Sequence, residues 1–286
     1  MINTKTIYIR IAAACLIAIV ALTVPILIVE KSGILEGQPL YKYLVRSLLV
    51  GLVAIGGIVL LRKKAVNKLP KSIGLATAKK AVPQFLFGVG LIAVPLSITI
   101  ALSSIFGWDD ISFNVNNGIL LVAVIGLIST FFTDAITEEL LFRGYIFSNL
   151  KERYNTWKST LITLGFFVVT PVIVGIVQFY LGIVTGVPIT PGFLITLLVF
   201  GAFVQYLRIL TKSIWAGVGF HMLFVHMNQL MGLSDDKLIQ FSETQNQLPV
   251  QITLLTLLLM VVVGLILYAN NQKKKQSVNQ PSVTSN

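Results

Sequence analysis

Three charged side chains, Glu138, Glu139 and Arg143, fall within six residues of a long apolar run that begins near Gly118. A charge at the centre of a bilayer costs roughly 2.5–3.5 kcal/mol on insertion scales, so each needs a partner or a task. On a helix Glu139 and Arg143 are i,i+4 neighbours and can pair. Glu138 points about 100° away, and its neighbour one turn back, Asp134, is a like charge. A carboxylate so placed is a candidate general base that takes a proton from water. The plainer reading makes Glu139–Arg143 a structural pair and lets Glu138 line a wet crevice.

The partners for such a base are few, because the chain has two histidines, His221 and His226. Glu138 lies twelve residues before Leu150, about 18 Å from the end of its run at helical rise. His221 lies eight residues after Ser213, about 12 Å from its own end of the membrane by the same rise. The two therefore share one layer in the inner half of the bilayer, reached from the cytoplasm and able to hold water. His226 points about 140° away from His221 and suits an interhelical hydrogen bond. Asn228 returns to within about 20° of the His221 direction, two turns on. A catalytic zinc usually has three protein ligands. Glu138, Glu139 and His221 are the set open to a divalent metal, and nothing in the sequence requires one. There is no H-E-x-x-H, no Gly-rich phosphate loop and no G-x-S-x-G elbow.

The elements that must carry these residues are membrane spans. The chain is 55% hydrophobic and 12% charged, against about 25% charged for a soluble domain. The apolar runs are continuous, which excludes a β-barrel and predicts an all-α polytopic transmembrane bundle. About eight spans are expected: Ile7 to Val29, Leu44 to Leu61, Pro83 to Phe106, Gly118 to Leu150, Ser159 to about Val184, Phe193 to Leu210, Ser213 to about Met231, and Val250 to Tyr268. Pro171 interrupts the fifth and should kink it. Gly51, Gly56 and Gly57 offer close helix contact in the second. Cys15, the single cysteine, excludes an intrachain disulfide.

The net charge of +11 lies in short connections, as topology signals do, and does not point to nucleic acid. Arg62, Lys63, Lys64, Lys68, Lys71, Lys79 and Lys80 mark one side, with Lys151, Arg153, Lys158, Arg208, Lys212 and the Lys273–Lys275 run. Trp108, Asp109 and Asp110, the uncharged connection from Gly186 to Gly192, and Ser234 to Lys237 mark the other. This predicts a multi-pass protein of the cell membrane with both termini cytoplasmic. The Ser/Asn/Gln-rich tail is too polar to fold alone. The expected organisation is residues 1–117 as N-terminal spans and a basic loop, 118–231 as a core, and 232–286 as an outer loop, last span and tail.

The run Glu138-Glu139-Leu140-Leu141-Phe142-Arg143-Gly144 resembles the first motif, E-E-x-x-x-R, of the CPBP family, the CAAX-processing and bacteriocin-processing intramembrane proteases also called Abi. The stretch Ser213-Ile214-Trp215 leading to His221 is similar to the family's third motif. The resemblance implies an intramembrane endopeptidase acting on membrane-associated or hydrophobic peptides. It implies Glu138 as the base that activates water, Glu139 and Arg143 as its support, and His221 as the assisting imidazole. The bilayer and a peptide or protein substrate are the expected partners.

Two positions depart from the family pattern. The second motif, F-x-x-x-H, falls by gapless count at Phe167 with Pro171 in place of His. A shift by one gives Phe166 and Thr170, and Val174 with Gln178 is the other local likeness. In the third motif, H-x-x-x-N, the Asn position holds Val225. General acid–base partners contribute about 10²–10⁴-fold each. The second reading is therefore a catalytically impaired member that acts by binding a membrane sensor or envelope protein, in signalling, bacteriocin immunity or cell-envelope regulation.

Overall fold

The computed structural model describes residues 3–66, 73–107, 111–186, 189–232, 237–240, 264 and 266. The helices are α1 (Thr4–Lys31), α2 (Pro39–Val66), α3 (Ala78–Phe106), α4 (Asn117–Leu150), α5 (Thr156–Tyr180), α6 (Pro191–Thr211) and α7 (Trp215–Leu230). The first six are long and apolar enough to cross a membrane. The seventh has 16 residues, about 24 Å at helical rise and short of a full hydrocarbon core. The fold is an all-α polytopic bundle. The expected eighth span, Val250 to Tyr268, lies outside the described residues except for helical Gly264 and Ile266. Lys68, Lys71, Trp108, Asp109, Asp110, Ser234–Asp236 and the Lys273–Lys275 run also lie outside them.

Polar side chains set several helix starts. Asn116, Asn155 and Thr190 each accept a hydrogen bond from the backbone N–H three residues on, at 2.9, 2.8 and 3.2 Å. This satisfies a donor that the first turn would otherwise leave unpaired. Pro191 follows Thr190 at the start of α6, where a missing N–H costs nothing. Pro171 does not break α5, which runs on to Tyr180. It leaves the Phe167 carbonyl without its usual helical donor.

The bundle is built around α4, which packs against α1, α2, α5 and α7. Beside it, α3 and α7 meet with backbones nearly touching. A Cβ at Gly88 would collide with the Ala216 carbonyl oxygen, and one at Gly219 with that of Phe85. Small residues permit such approach where lipid gives no hydrophobic drive to associate. Gly51 is similarly covered by Phe132, and Gly57 by Ile17, while Gly56 has open space.

Ion pairs tie the ends. Arg62 reaches Asn149 at 3.3 Å and Glu152 at 3.2 Å, and Arg10 reaches Glu152 at 3.5 Å, joining α1 and α2 to the end of α4. At the opposite end Glu30 holds Lys42 at 2.6 Å and Arg46 at 3.6 Å. A small sheet that the sequence reading left as loop lies beyond α7. It has the order β1-β3-β2, with β1 (Ser112–Phe113) antiparallel and β2 (Met231–Gly232) parallel to β3 (Ile239–Gln240).

Candidate functional site

The charged run lies where α4 leaves regular α-helical winding. Two stretches, Phe131–Ala135 and Glu139–Ile146, are wound with i→i+5 bonding. The Ile136 N–H reaches the Phe131 carbonyl, and the Phe147 N–H reaches that of Phe142. Thr137 Oγ1 donates at 2.7 Å to the carbonyl of Phe132, within the first of these stretches. Such bulges are frequent at functional sites and re-aim the side chains beyond them.

Glu139 and Arg143 pair as their spacing predicts, with Nη1 to Oε1 at 3.1 Å. Their side chains are 0% and 1% exposed, so the pair needs further support to be tolerated. Arg143 Nη2 donates to the Gly201 carbonyl at 3.0 Å. The guanidinium lies over the Phe167 ring at 4.1 Å, within cation–π range. Arg208 Nε donates to the Arg143 carbonyl at 3.0 Å. Two groups of α6 thus fix Arg143.

His221 enters through its lead-in. Ser213 Oγ and the Ile214 N–H both donate to the Gly74 carbonyl at 3.2 Å. Gly74 has φ +86° and lies against the Arg208 guanidinium. A side chain there would be strained in conformation and crowded by that guanidinium. This anchor sets the start of α7 and brings His221 opposite α4. His221 Nδ1 is 3.1 Å from Glu139 Oε1, and Nε2 is 4.0 Å from Glu138 Oε2. Phe200 packs its ring edge-on to the imidazole at 4.7 Å. The fold therefore gathers Glu138, Glu139, Arg143 and His221 into one cluster.

Within it the carboxylates divide. Glu139 is enclosed and bonds Arg143 and His221 through the same oxygen. Glu138, with a side chain 20% exposed, lines a cavity of 350 Å³ together with Asp134, Thr137, Phe142, Thr170 and Pro171. The sequence reading placed access at the basic end of the bundle. This cavity instead extends to Val184, Gly186, Ile189 and Phe193, around the α5–α6 connection at the other end.

The remaining candidates separate from the cluster. His226 is buried against Gly126 of α4, whose Cβ would stand 3.1 Å from its ring. Asn228 is exposed and donates to the Phe224 carbonyl at 2.7 Å, apart from the buried cluster. Phe167 takes the position under Arg143, and Pro171 lines the cavity beside Glu138. Thr170, from the register shifted by one, lines the same cavity. Thr170 Oγ1 has Cys15 Sγ at 3.9 Å.

Among the described residues no group of three or more His, Cys, Asp or Glu is placed to hold a metal ion. Glu139 Oε1 is committed to Arg143 and to His221 Nδ1, while Glu139 Oε2 meets no hydrogen-bond partner among the described residues.

Sequence reasoning missed Gln205, because an amide in an apolar helix carries no motif. It is 1% exposed, and neither its Oε1 nor its Nε2 meets a partner among the described residues. It stands one turn from Gly201 and one from Arg208, the two residues of α6 that hold Arg143.

No curated protein and no solved structure shows a significant match to the chain. The family model described as type II CAAX prenyl endopeptidase Rce1-like matches residues 119–227. That segment contains Glu138, Glu139, Arg143 and His221, and it is similar to the CPBP, or CAAX-protease, family.

Proposed function

We propose that this protein is an intramembrane endopeptidase that hydrolyses peptide bonds of hydrophobic or membrane-associated peptides with water activated by Glu138. The observation that carries the reading is an open carboxylate at a cavity wall beside a buried, oriented imidazole. Glu138 Oε2 and His221 Nε2 stand 4.0 Å apart, too far for a direct hydrogen bond and suited to sharing one water. Glu139 receives the Nδ1–H of His221, which leaves Nε2 as an acceptor in the neutral ring. A water donating to both Glu138 and His221 keeps a lone pair for attack.

The water oxygen bonds to the scissile carbonyl carbon while its proton passes to Glu138. Collapse of the tetrahedral intermediate breaks the C–N bond, and Glu138 returns the proton to the leaving amine. Glu139 and Arg143 do not touch the reacting atoms. They fix the ring orientation of His221, as a carboxylate does for a catalytic histidine elsewhere. The Thr170 hydroxyl, at the cavity wall, is the side-chain donor nearest in kind to an oxyanion partner, since Pro171 has none.

The chain sits in the cell membrane with its basic connections on the cytoplasmic side, by the bias of Lys and Arg between spans. The second reading, a family member that binds a membrane sensor or envelope protein without turnover, is favoured by Pro171 and Val225 at the two departing positions.

The test uses purified protein in liposomes with a pool of quenched fluorescent peptides rich in Leu and Ala. Glu138→Gln should lower hydrolysis by about 10²–10⁴-fold with folding intact. Equal turnover by wild type and variant removes Glu138 from the chemistry. Binding of the peptides by wild type with no cleavage favours the second reading.

A further inference from the structure

The cavity at Glu138 has a direction. On α1 it is lined by Ala18, Leu22 and Ile26, and on α5 by Thr170, Val174 and Gln178. Each set repeats every four residues, so one stripe of each helix faces the same space. Eight residues of helix make each stripe about 12 Å long. The two stripes run the same way, since α1 and α5 both begin at the end that carries Arg10, Lys151 and Lys158. They start at the level of Glu138 and end at the α5–α6 connection. Asp134 and Glu138 are the charged residues of the lining; Glu138 is at the inner end, and Asp134, one turn before it on α4, lies about 6 Å nearer the α5–α6 connection. Gln178 Nε2 donates to the Leu22 carbonyl at 2.8 Å, holding α1 and α5 at the spacing that keeps the groove.

We infer that this groove receives the apolar flank of the substrate, an extended hydrophobic peptide segment of about four residues at roughly 3.3 Å each. The segment enters from the end of the bundle opposite the basic connections. The occupant follows from the shape. A groove of this length with mostly apolar walls fits an extended chain, and its inner end delivers the next peptide bond to Glu138. The walls offer no cation to an acidic group, so a free carboxylate or phosphate is disfavoured along it. The inference rests on the peptidase reading for its substrate, and its direction of access is read from the lining residues.

Single cysteines at Leu22, Ile189 and Lys151, each in a Cys15→Ala background, test it in sealed membrane vesicles. A membrane-impermeant maleimide should label Leu22→Cys and Ile189→Cys from one side and Lys151→Cys from the other. An uncharged ten-residue Leu/Ala peptide should slow labelling of Leu22→Cys at least fivefold and leave Lys151→Cys unchanged. Labelling of Leu22→Cys from the Lys151 side overturns the direction of access. Protection by oleate and not by the peptide overturns the occupant and makes the groove a lipid site. Labelling needs no turnover. Peptide protection without hydrolysis therefore keeps the groove assignment and rejects the peptidase reading, while hydrolysis without protection does the reverse.

Discussion

His221 Nδ1 and Glu139 Oε1 stand 3.1 Å apart across the α4–α7 interface, and the same oxygen takes Arg143 Nη1 at 3.1 Å. One enclosed carboxylate oxygen thus orients the imidazole and neutralises the guanidinium, while the neighbouring Glu138 faces the cavity. Two carboxylates adjacent in sequence are given different tasks by the winding of α4. If Glu139 acts by orienting His221, Glu139→Gln should lower kcat of peptide hydrolysis about 10–100-fold with KM little changed. Steady-state kinetics on the fluorescent peptides checks it. A change confined to KM would place Glu139 in substrate binding.

The buried pair should behave as a unit in stability. Removing one partner of such a pair leaves an uncompensated charge and costs about 3–5 kcal/mol. Glu139→Ala and Arg143→Ala should each destabilise by that order, and the double variant by clearly less than their sum. Unfolding in detergent, followed as a double-mutant cycle, measures the coupling. Additive losses would show that the ion pair is not the stabilising unit.

Arg143 uses a geometry that lysine lacks. Its two terminal nitrogens reach Glu139 and Gly201, and its plane lies on Phe167. A lysine keeps the charge but not the fork or the stacking surface. Arg143→Lys should destabilise by about 1.5–3 kcal/mol, the range for hydrogen bonds to charged groups. It should also lower turnover. Calorimetric melting of the variant beside wild type reads the first effect.

Gly219 cannot carry a larger side chain while α3 stays where it is, because the Phe85 carbonyl occupies the Cβ position. Overpacking of this kind typically costs about 1–3 kcal/mol. Gly219→Val should fall at the upper end and displace His221, two residues on. Gly56→Ala, where nothing stands within 4 Å, is the control and should leave melting unchanged. Equal melting of the two variants would contradict the close α3–α7 approach.

Gln205 gives a prediction of the opposite sign. A buried amide with neither end partnered carries a desolvation cost of about 1–3 kcal/mol. Gln205→Leu should therefore leave stability unchanged or raise it. A loss above about 1 kcal/mol in the melting experiment would mean that the amide has a partner of its own, such as a buried water.

The sequence alone carried the membrane class, the run of spans and the Glu139–Arg143 pair. These depend on hydropathy and on i,i+4 spacing, both local properties of the chain. What it could not carry depended on the winding and meeting of helices. The i→i+5 turns of α4 are invisible to a regular 3.6-residue wheel, so the wheel could not say which carboxylate would meet His221. The same wheel put Asn228 on the face of His221, two turns on, but did not show that its amide is exposed and bonds the Phe224 carbonyl. Pro171 stands inside α5, which continues through it to Tyr180 and packs on α4 and α6. The direction of the cavity was set by stripes on α1 and α5, helices more than a hundred residues apart whose facing residues carry no shared pattern. Local chemistry chose the reactive groups, and only tertiary contact decided which of them is enclosed, which is open, and to which side.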